Sequence, residues 1–379
     1  MPLLSRHRRY LGLVAVVIFA ALLLANLVPD PMGRGVWRTR GVPPANLVQE
    51  ITTRAQTLSL YFQDNFGFRA SLPIVRRDLR AALESPNDHN TYYGRHGRLF
   101  WAREHTPEQS SGDLIRAEAV DRFVRMADIL QRELAPLGTK VVVAIPPNTQ
   151  SVEMDDLPRW QHGFERRPTE YDLLLAGLKK DGVASVDLRE VLRTAPFAGP
   201  RYLKTDSHWN FASSVYAFNA TMVAAGHPDW QVDPKAVIGP LAPSPAGDLV
   251  RTMRMPPPVE DENYQLRFAP PDVQHQTTPE LKLTHEHPLF QPYVERFRPE
   301  GPRVLVIGDS FTVNIWTRLF AATPVAEAAW MHFSRRTLGY CGFDVADVKA
   351  YKPALVILAR TERFFPCLDG AWPYNLPQE

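Results

Sequence analysis

Cysteine is almost missing from this chain: its 379 residues hold two, Cys341 and Cys367. Two thiols supply neither the ligands of a structural zinc site nor the bridges of a disulfide scaffold. An excess of charge is missing too, because 43 basic side chains stand against 41 acidic ones for a net +2. Nucleic acid is therefore not an expected partner. No internal repeat of fixed period runs through the chain, which sets repeat architectures aside. What is present in excess is proline, 35 residues against a usual share of about 5%. Much of the chain must run as loops or extended segments. Hydrophobic residues still make up 45%, enough for a sizeable core and too many for a wholly disordered chain. The length suits one large domain or two ordinary ones.

The N-terminal residues 1–10 are basic, with Arg6, Arg8 and Arg9. Residues 11–28 carry no charge and one polar side chain, Asn26, before Pro29 and Asp30 end the run. Eighteen residues at about 1.5 Å each nearly cross a bilayer core of about 30 Å. A basic flank stays on the cytoplasmic side. The expected order is a cytoplasmic tail at 1–10, a single-pass anchor at 11–28, a Pro-, Gly- and Arg-rich linker at 29–51 and an exported domain at 52–379. In a host with two membranes this means the inner membrane, with the domain in the periplasm. A cleaved signal peptide is the alternative, although no clear small-residue cleavage site precedes a mature start. In that oxidising space Cys341 and Cys367 either bridge or stay as two buried thiols.

Within the exported part, residues 52–83 read as helical, with Leu58, Tyr61, Phe62, Phe66, Leu72, Ile74 and Val75 on one face. Residues 93–100 read as two short strands around a glycine turn. Val120, Phe123, Val124, Ala127, Leu130 and Leu134 recur at helical spacing over 117–134. Residues 141–145 are a continuous apolar run of the kind buried on both faces of a sheet. Helices are predicted at 171–178, 211–225, 312–321 and 345–350, and strands at 184–188, 304–307, 325–331 and 355–358. Residues 227–300 hold many prolines and read as an irregular insertion. Alternating strands and helices predict an α/β domain, a mostly parallel sheet with helices on both faces.

Two motifs carry chemistry. Gly308-Asp309-Ser310-Phe311 closes the strand at 304–307. Ligands gather beyond the carboxyl ends of strands in such sheets, and a serine there meets backbone N–H groups that can hold an oxyanion. The bland alternative is a helix cap at Asp309 or Ser310. The second motif is Asp206-Ser207-His208-Trp209. Residues two apart in an extended segment can meet on one side. Asp206 can then orient the His208 imidazole and leave its outer nitrogen to take a proton from Ser310. The alternatives are an Asp that caps the helix after Phe211, or a metal pair, for which no close third ligand is visible.

These motifs, with residues 61–69, Tyr93-Gly94, Gly97-Arg98-Leu99-Phe100 and Gly247-Asp248-Leu249, resemble the alginate O-acetyltransferase family of SGNH-hydrolase-like proteins over most of 55–366. The specific part is the pair Asp-x-His and Gly-Asp-Ser-Phe, in that order. Ordinary SGNH hydrolases place the serine first, so the resemblance implies a circularly permuted SGNH fold. It also locates departures. The strand at 355–358 lacks the expected oxyanion asparagine and ends instead in Glu362 and Arg363. Arg363 is expected either to hold an oxyanion or sugar, or to form a salt bridge with Glu362 or Asp309. Asn148, where the family often has a lysine after proline, is a second oxyanion candidate.

The resemblance implies transfer of acetyl groups to hydroxyls of an exported polysaccharide through a Ser310 acyl-enzyme, with His208 as base, Asp206 as its partner, and neither metal nor cofactor. The acetyl donor would be a multi-spanning membrane acyltransferase partner. Tyr92, Tyr93, Trp101, Trp209 and Trp316 are available to stack on sugar rings, although such aromatics are more often core. An acetylesterase with the same three residues, and a non-catalytic scaffold of an export complex, are the competing readings.

Overall fold

The computed structural model describes residues 91–378 except 159–160, 162–167, 197–198, 254–259, 268–274, 283–286, 335–340 and 366–371, together with helical stretches at 12–20 and within 47–59. Contacts divide the chain into two units, Met1–Leu83 and Glu84–Glu379. In the first unit, residues 12–20 are helical and exposed. Among the described residues no helix is long and apolar enough to cross a membrane. The rest of the 11–28 run, and nearly all of the 52–83 helix, lie outside the described residues.

The second unit begins with the hairpin β1 (Thr91–Tyr93) and β2 (Leu99–Trp101). Helix α1 (Ala117–Leu134), strand β3 (Lys140–Val143), helix α2 (Glu170–Lys180), strand β4 (Ala184–Ser185), helix α3 (Leu188–Thr194) and helix α4 (Phe211–Ala224) follow. Strand β5 (Ile238–Ser244), helix α5 (Asp248–Met253), strand β6 (Asp261–Leu266) and strand β7 (Tyr293–Arg296) come next. The chain continues as β8 (Arg303–Gly308), α6 (Trp316–Leu319), β9 (Glu327–His332), α7 (Val345–Tyr351) and β10 (Leu355–Ala359).

The main sheet has the order β4-β3-β10-β8-β9-β7. Its first five strands are parallel, and β7 joins the edge antiparallel to β9. The sheet is therefore mixed. Within 227–300, read from sequence as an irregular insertion, the described residues supply β7 and the antiparallel pair β5–β6. Alternation sorts the strand side chains between two cores. On one face Val141, Val143, Leu305, Ile307, Val356 and Leu358 pack with Phe123, Leu130 and Leu174 of α1 and α2 and Val348 of α7. On the other, Val142, Val304, Val306, Leu355 and Ile357 pack with Leu192, Phe218 and Trp316 of α3, α4 and α6. Each large apolar side chain so buried contributes about 1.5–3 kcal/mol against unfolding.

Local chemistry fixes most element ends. Thr169 and Asp172 form a reciprocal capping box at the start of α2. The strand predicted at 184–188 stops at Ser185 because the Asp187 side chain accepts the Arg189 N–H and starts α3. The helix predicted at 312–321 begins only at Trp316, after a run of turns.

Candidate active site

Ser310 stands two residues past the end of β8. Gly308 sits where a side chain cannot: a Cβ there would fall on Thr312 Oγ1. The turn is closed by Asp309. Its carbonyl accepts the N–H groups of Thr312 and Val313 at 3.1 and 3.2 Å. Its carboxylate accepts those of Phe311 at 3.1 Å and Thr361 at 2.7 Å, which ties the turn to the chain just past β10. Because α6 starts at Trp316, Ser310 caps no helix.

The segment carrying Asp206 and His208 is held from several sides. The Arg98 guanidinium, itself buried, donates to the carbonyls of Tyr202 and Leu203 and pairs with Asp156 and Glu153. Leu99 N–H bonds the Lys204 carbonyl at 2.8 Å. The Asp261 carboxylate accepts the N–H groups of Lys204 and Thr205 and the Thr205 hydroxyl. The cap of α4 is Asn210, whose Oδ1 accepts the Ser213 N–H at 2.8 Å, so Asp206 is not spent on capping. Trp209 Nε1 donates to the Phe311 carbonyl at 3.1 Å, and the Phe311 and His208 rings lie 4.8 Å apart. These contacts lay one motif on the other.

The result is a chain of three side chains. Asp206 Oδ1 lies 2.6 Å from His208 Nδ1, and His208 Nε2 lies 2.8 Å from Ser310 Oγ. All three are partly buried. Burial disfavours the imidazolium, but the hydrogen bond and charge of Asp206, with the charge of Asp248, outweigh it and raise the His208 pKa above the ordinary value. Burial likewise works against the Asp206 carboxylate, and its bond to His208 and the charge there hold its pKa well below the usual carboxylate range.

Arg363 joins the group through Ser207: its Nη2 donates to Ser207 Oγ at 3.3 Å. It is buried among the rings of Trp101, Phe311 and Phe364, at 5.5, 5.2 and 5.4 Å. Among the described residues its Nε has no hydrogen-bond partner. Among the described residues no ion pair joins it to Glu362 or Asp309. Glu362 accepts instead from Asn148 N–H at 2.6 Å and from the Ser151 hydroxyl at 2.9 Å. Asn148 is fully buried, and its side-chain amide donates to Gln109 Oε1 at 3.3 Å. Among the described residues no hydrogen bond joins it to Ser310 or His208. Of the aromatics named from sequence, Tyr92, Tyr93, Trp209 and Trp316 are core, and Trp101 is partly exposed.

Sequence reasoning missed Asp261, which has no local signal, and saw no third carboxylate near Asp206 and His208. The fold supplies one. Asp206, His208 and Asp248 each present a ligand atom within 4.8 Å of the others, a set able to hold a metal ion. Those atoms are already engaged with one another and with Ser207.

Residues 92–322 match the family described as SGNH hydrolase-like domain, acetyltransferase AlgX. The chain belongs to this family. Over 211 residues it is 27% identical to the probable alginate O-acetylase AlgJ of Pseudomonas aeruginosa, a match covering 55% of this chain and 49% of that protein. The chain thus spans about half the length of the curated relative it matches. It is similar to the O-acetyltransferase domain of Pseudomonas putida AlgJ, at 18% identity and a TM-score of 0.47, covering 73% of this chain and 92% of that one. Bacillus cereus PatB1 is similar at 15% identity and a TM-score of 0.46, covering 72% and 95%. As in this AlgX-like family generally, the fold here is SGNH-like α/β.

Proposed function

We propose that this AlgX-family protein is an O-acetyltransferase that moves acetyl groups onto hydroxyls of an exported polysaccharide through an acyl-enzyme on Ser310. The observation that carries this reading is the 2.8 Å approach of His208 Nε2 to Ser310 Oγ, with Asp206 behind the imidazole. His208 takes the Ser310 proton as Oγ attacks the acetyl carbonyl carbon. The resulting imidazolium returns that proton to the leaving group as the donor's bond breaks. A sugar hydroxyl then gives its proton to His208 and attacks the acyl carbon, and Ser310 Oγ leaves as the restored hydroxyl. Arg363 supplies positive charge at the site, either for the tetrahedral oxyanion or for the sugar.

The same reading places the protein at the inner membrane through residues 11–28, with the site in the periplasm and a multi-spanning acyltransferase handing acetyl groups across. The curated relative is named for alginate; for this chain the acceptor is proposed only as a polysaccharide.

The test is incubation of the protein with a chromogenic acetyl ester, with and without oligosaccharide, followed by mass spectrometry. An acetyl adduct on Ser310, passed to added sugar, is the expected result. Adduct formation whose acetate release ignores the sugar identifies an acetylesterase. A Ser310→Ala protein that leaves polymer acetylation in cells unchanged identifies a scaffold.

A further inference from the structure

With Ser310 as nucleophile and His208 as base, one carboxylate beside them still lacks a role. Gly247-Asp248-Leu249 is laid against Thr205-Asp206-Ser207 by a set of short bonds. Gly247 N–H bonds Thr205 Oγ1 at 2.9 Å, Asp248 N–H bonds Asp206 Oδ2 at 3.0 Å, and Leu249 N–H bonds the Thr205 carbonyl at 3.2 Å. The approach is close enough that a Cβ on Gly247 would lie 2.6 Å from Asp206 Oδ2.

Both oxygens of the Asp248 side chain go to one residue. Oδ1 accepts the Ser207 N–H and Oδ2 the Ser207 hydroxyl, each at 2.8 Å. That hydroxyl is also the acceptor for Arg363 Nη2. Ser207 is buried, so water does not replace these bonds freely. Asp248 is thus bonded on one side to the partner of the base, and on the other, through a single hydroxyl, to the cation.

We propose that Asp248 is a positioning residue of the acyl-transfer site: its N–H sets Asp206, and its carboxylate, acting through Ser207, sets Arg363. The base and the cation then keep a fixed separation because one residue holds both. Asp248 Oδ2 also lies 3.8 Å from His208 Nδ1. Among the described residues the charged and titratable groups facing that imidazole are Asp206 on its own segment, Asp248 at the start of α5 and Arg363 past β10, with the Ser310 hydroxyl past β8 on its outer nitrogen. Removing the Asp248 charge makes the imidazolium easier to deprotonate.

The experiment uses the full chain and cleavage of p-nitrophenyl acetate followed across the neutral and alkaline range. Asp248→Asn keeps an acceptor for the Ser207 N–H and removes the charge. It is expected to lower kcat on the order of tenfold and to move the midpoint of the pH profile to lower pH, with a melting curve close to that of the parent. Ser207→Ala leaves the charge and cuts the link to Arg363. It should lower kcat without that downward shift, and add little further loss in an Arg363→Lys background. An Asp248→Asn protein with the parent's kcat and midpoint overturns the proposal. So do rate losses that only follow lowered melting temperatures. If Asp248→Asn does not fold, Ser207→Ala decides: parental kcat and KM overturn the link to Arg363. Absence of any acetyl adduct on Ser310 in the unaltered protein is a different failure. It removes the nucleophile reading itself, and this proposal with it.

Discussion

The imidazole of His208 is pulled two ways, by burial toward its neutral form and by Asp206 and Asp248 toward its charged one, and the carboxylates win. In its proposed role as base His208 must be neutral to take a proton, so a raised pKa moves the rising limb of the rate to higher pH. Acetyl-ester cleavage should therefore rise through a midpoint above the ordinary histidine value of about 6.5, measurable as kcat/KM against pH. Asp206→Asn should keep the fold, because the neighbouring loop is held by Asp261, Arg98 and Asn210. Turnover should drop by roughly three to four orders of magnitude, since the imidazole loses its orienting partner. A melting curve beside the kinetics separates the two effects. The two motifs that hold these residues were legible because each is local: the Asp-x-His spacing and the glycine before the serine state their geometry within a few residues. Asp248 was visible as part of a motif, but its link to Ser207 spans 41 positions and no local pattern encodes it.

Helix α1 and the inner strands β3, β8 and β10 were read from sequence because one apolar stripe, or one unbroken apolar run, decides them. The segment after Ser310 was not. It reads as helix by composition, yet Asn314 takes a positive φ of 62° and its N–H bonds the Tyr293 hydroxyl at 2.8 Å. That partner lies on β7, an edge strand hidden among prolines, so a distant contact overrides the local preference. A second element-scale case joins the chain after β10 to the chain after β3. Burial pushes Glu362 up to about 7, against the Asn148 N–H, the charge of Arg189 and the Ser151 hydroxyl. Between the ordinary 4.5 and about 7 the unfolded chain has lost a proton that the folded one keeps, so stability falls as pH rises through that window. Glu362→Gln keeps an acceptor for Asn148 without a charge. It should remove this fall and stabilise the protein above neutral pH by on the order of 3 kcal/mol, read from denaturation midpoints on both sides of the window.

At the scale of the molecule, the sheet and both its cores lie within Glu84–Glu379. A protein of those residues alone should unfold in one cooperative transition and show the proposed ester cleavage at the full chain's rate; loss of either on calorimetry or assay would show that the first unit is needed. Cys341 is disulfide-bonded, and the sequence offers one other cysteine, Cys367, outside the described residues. Reduction should lower stability by about 2–4 kcal/mol, seen as a drop in melting temperature with added dithiol. The position of β10 has a further consequence. The ribosome makes this strand after the other described strands of the sheet, yet it belongs between β3 and β8. Until it emerges, two apolar ribbons face a gap that only a latecomer fills. A chain that has made β3 and β8 but not yet β10 therefore carries two unpaired edges inside the future sheet, a state that calls for a chaperone's company.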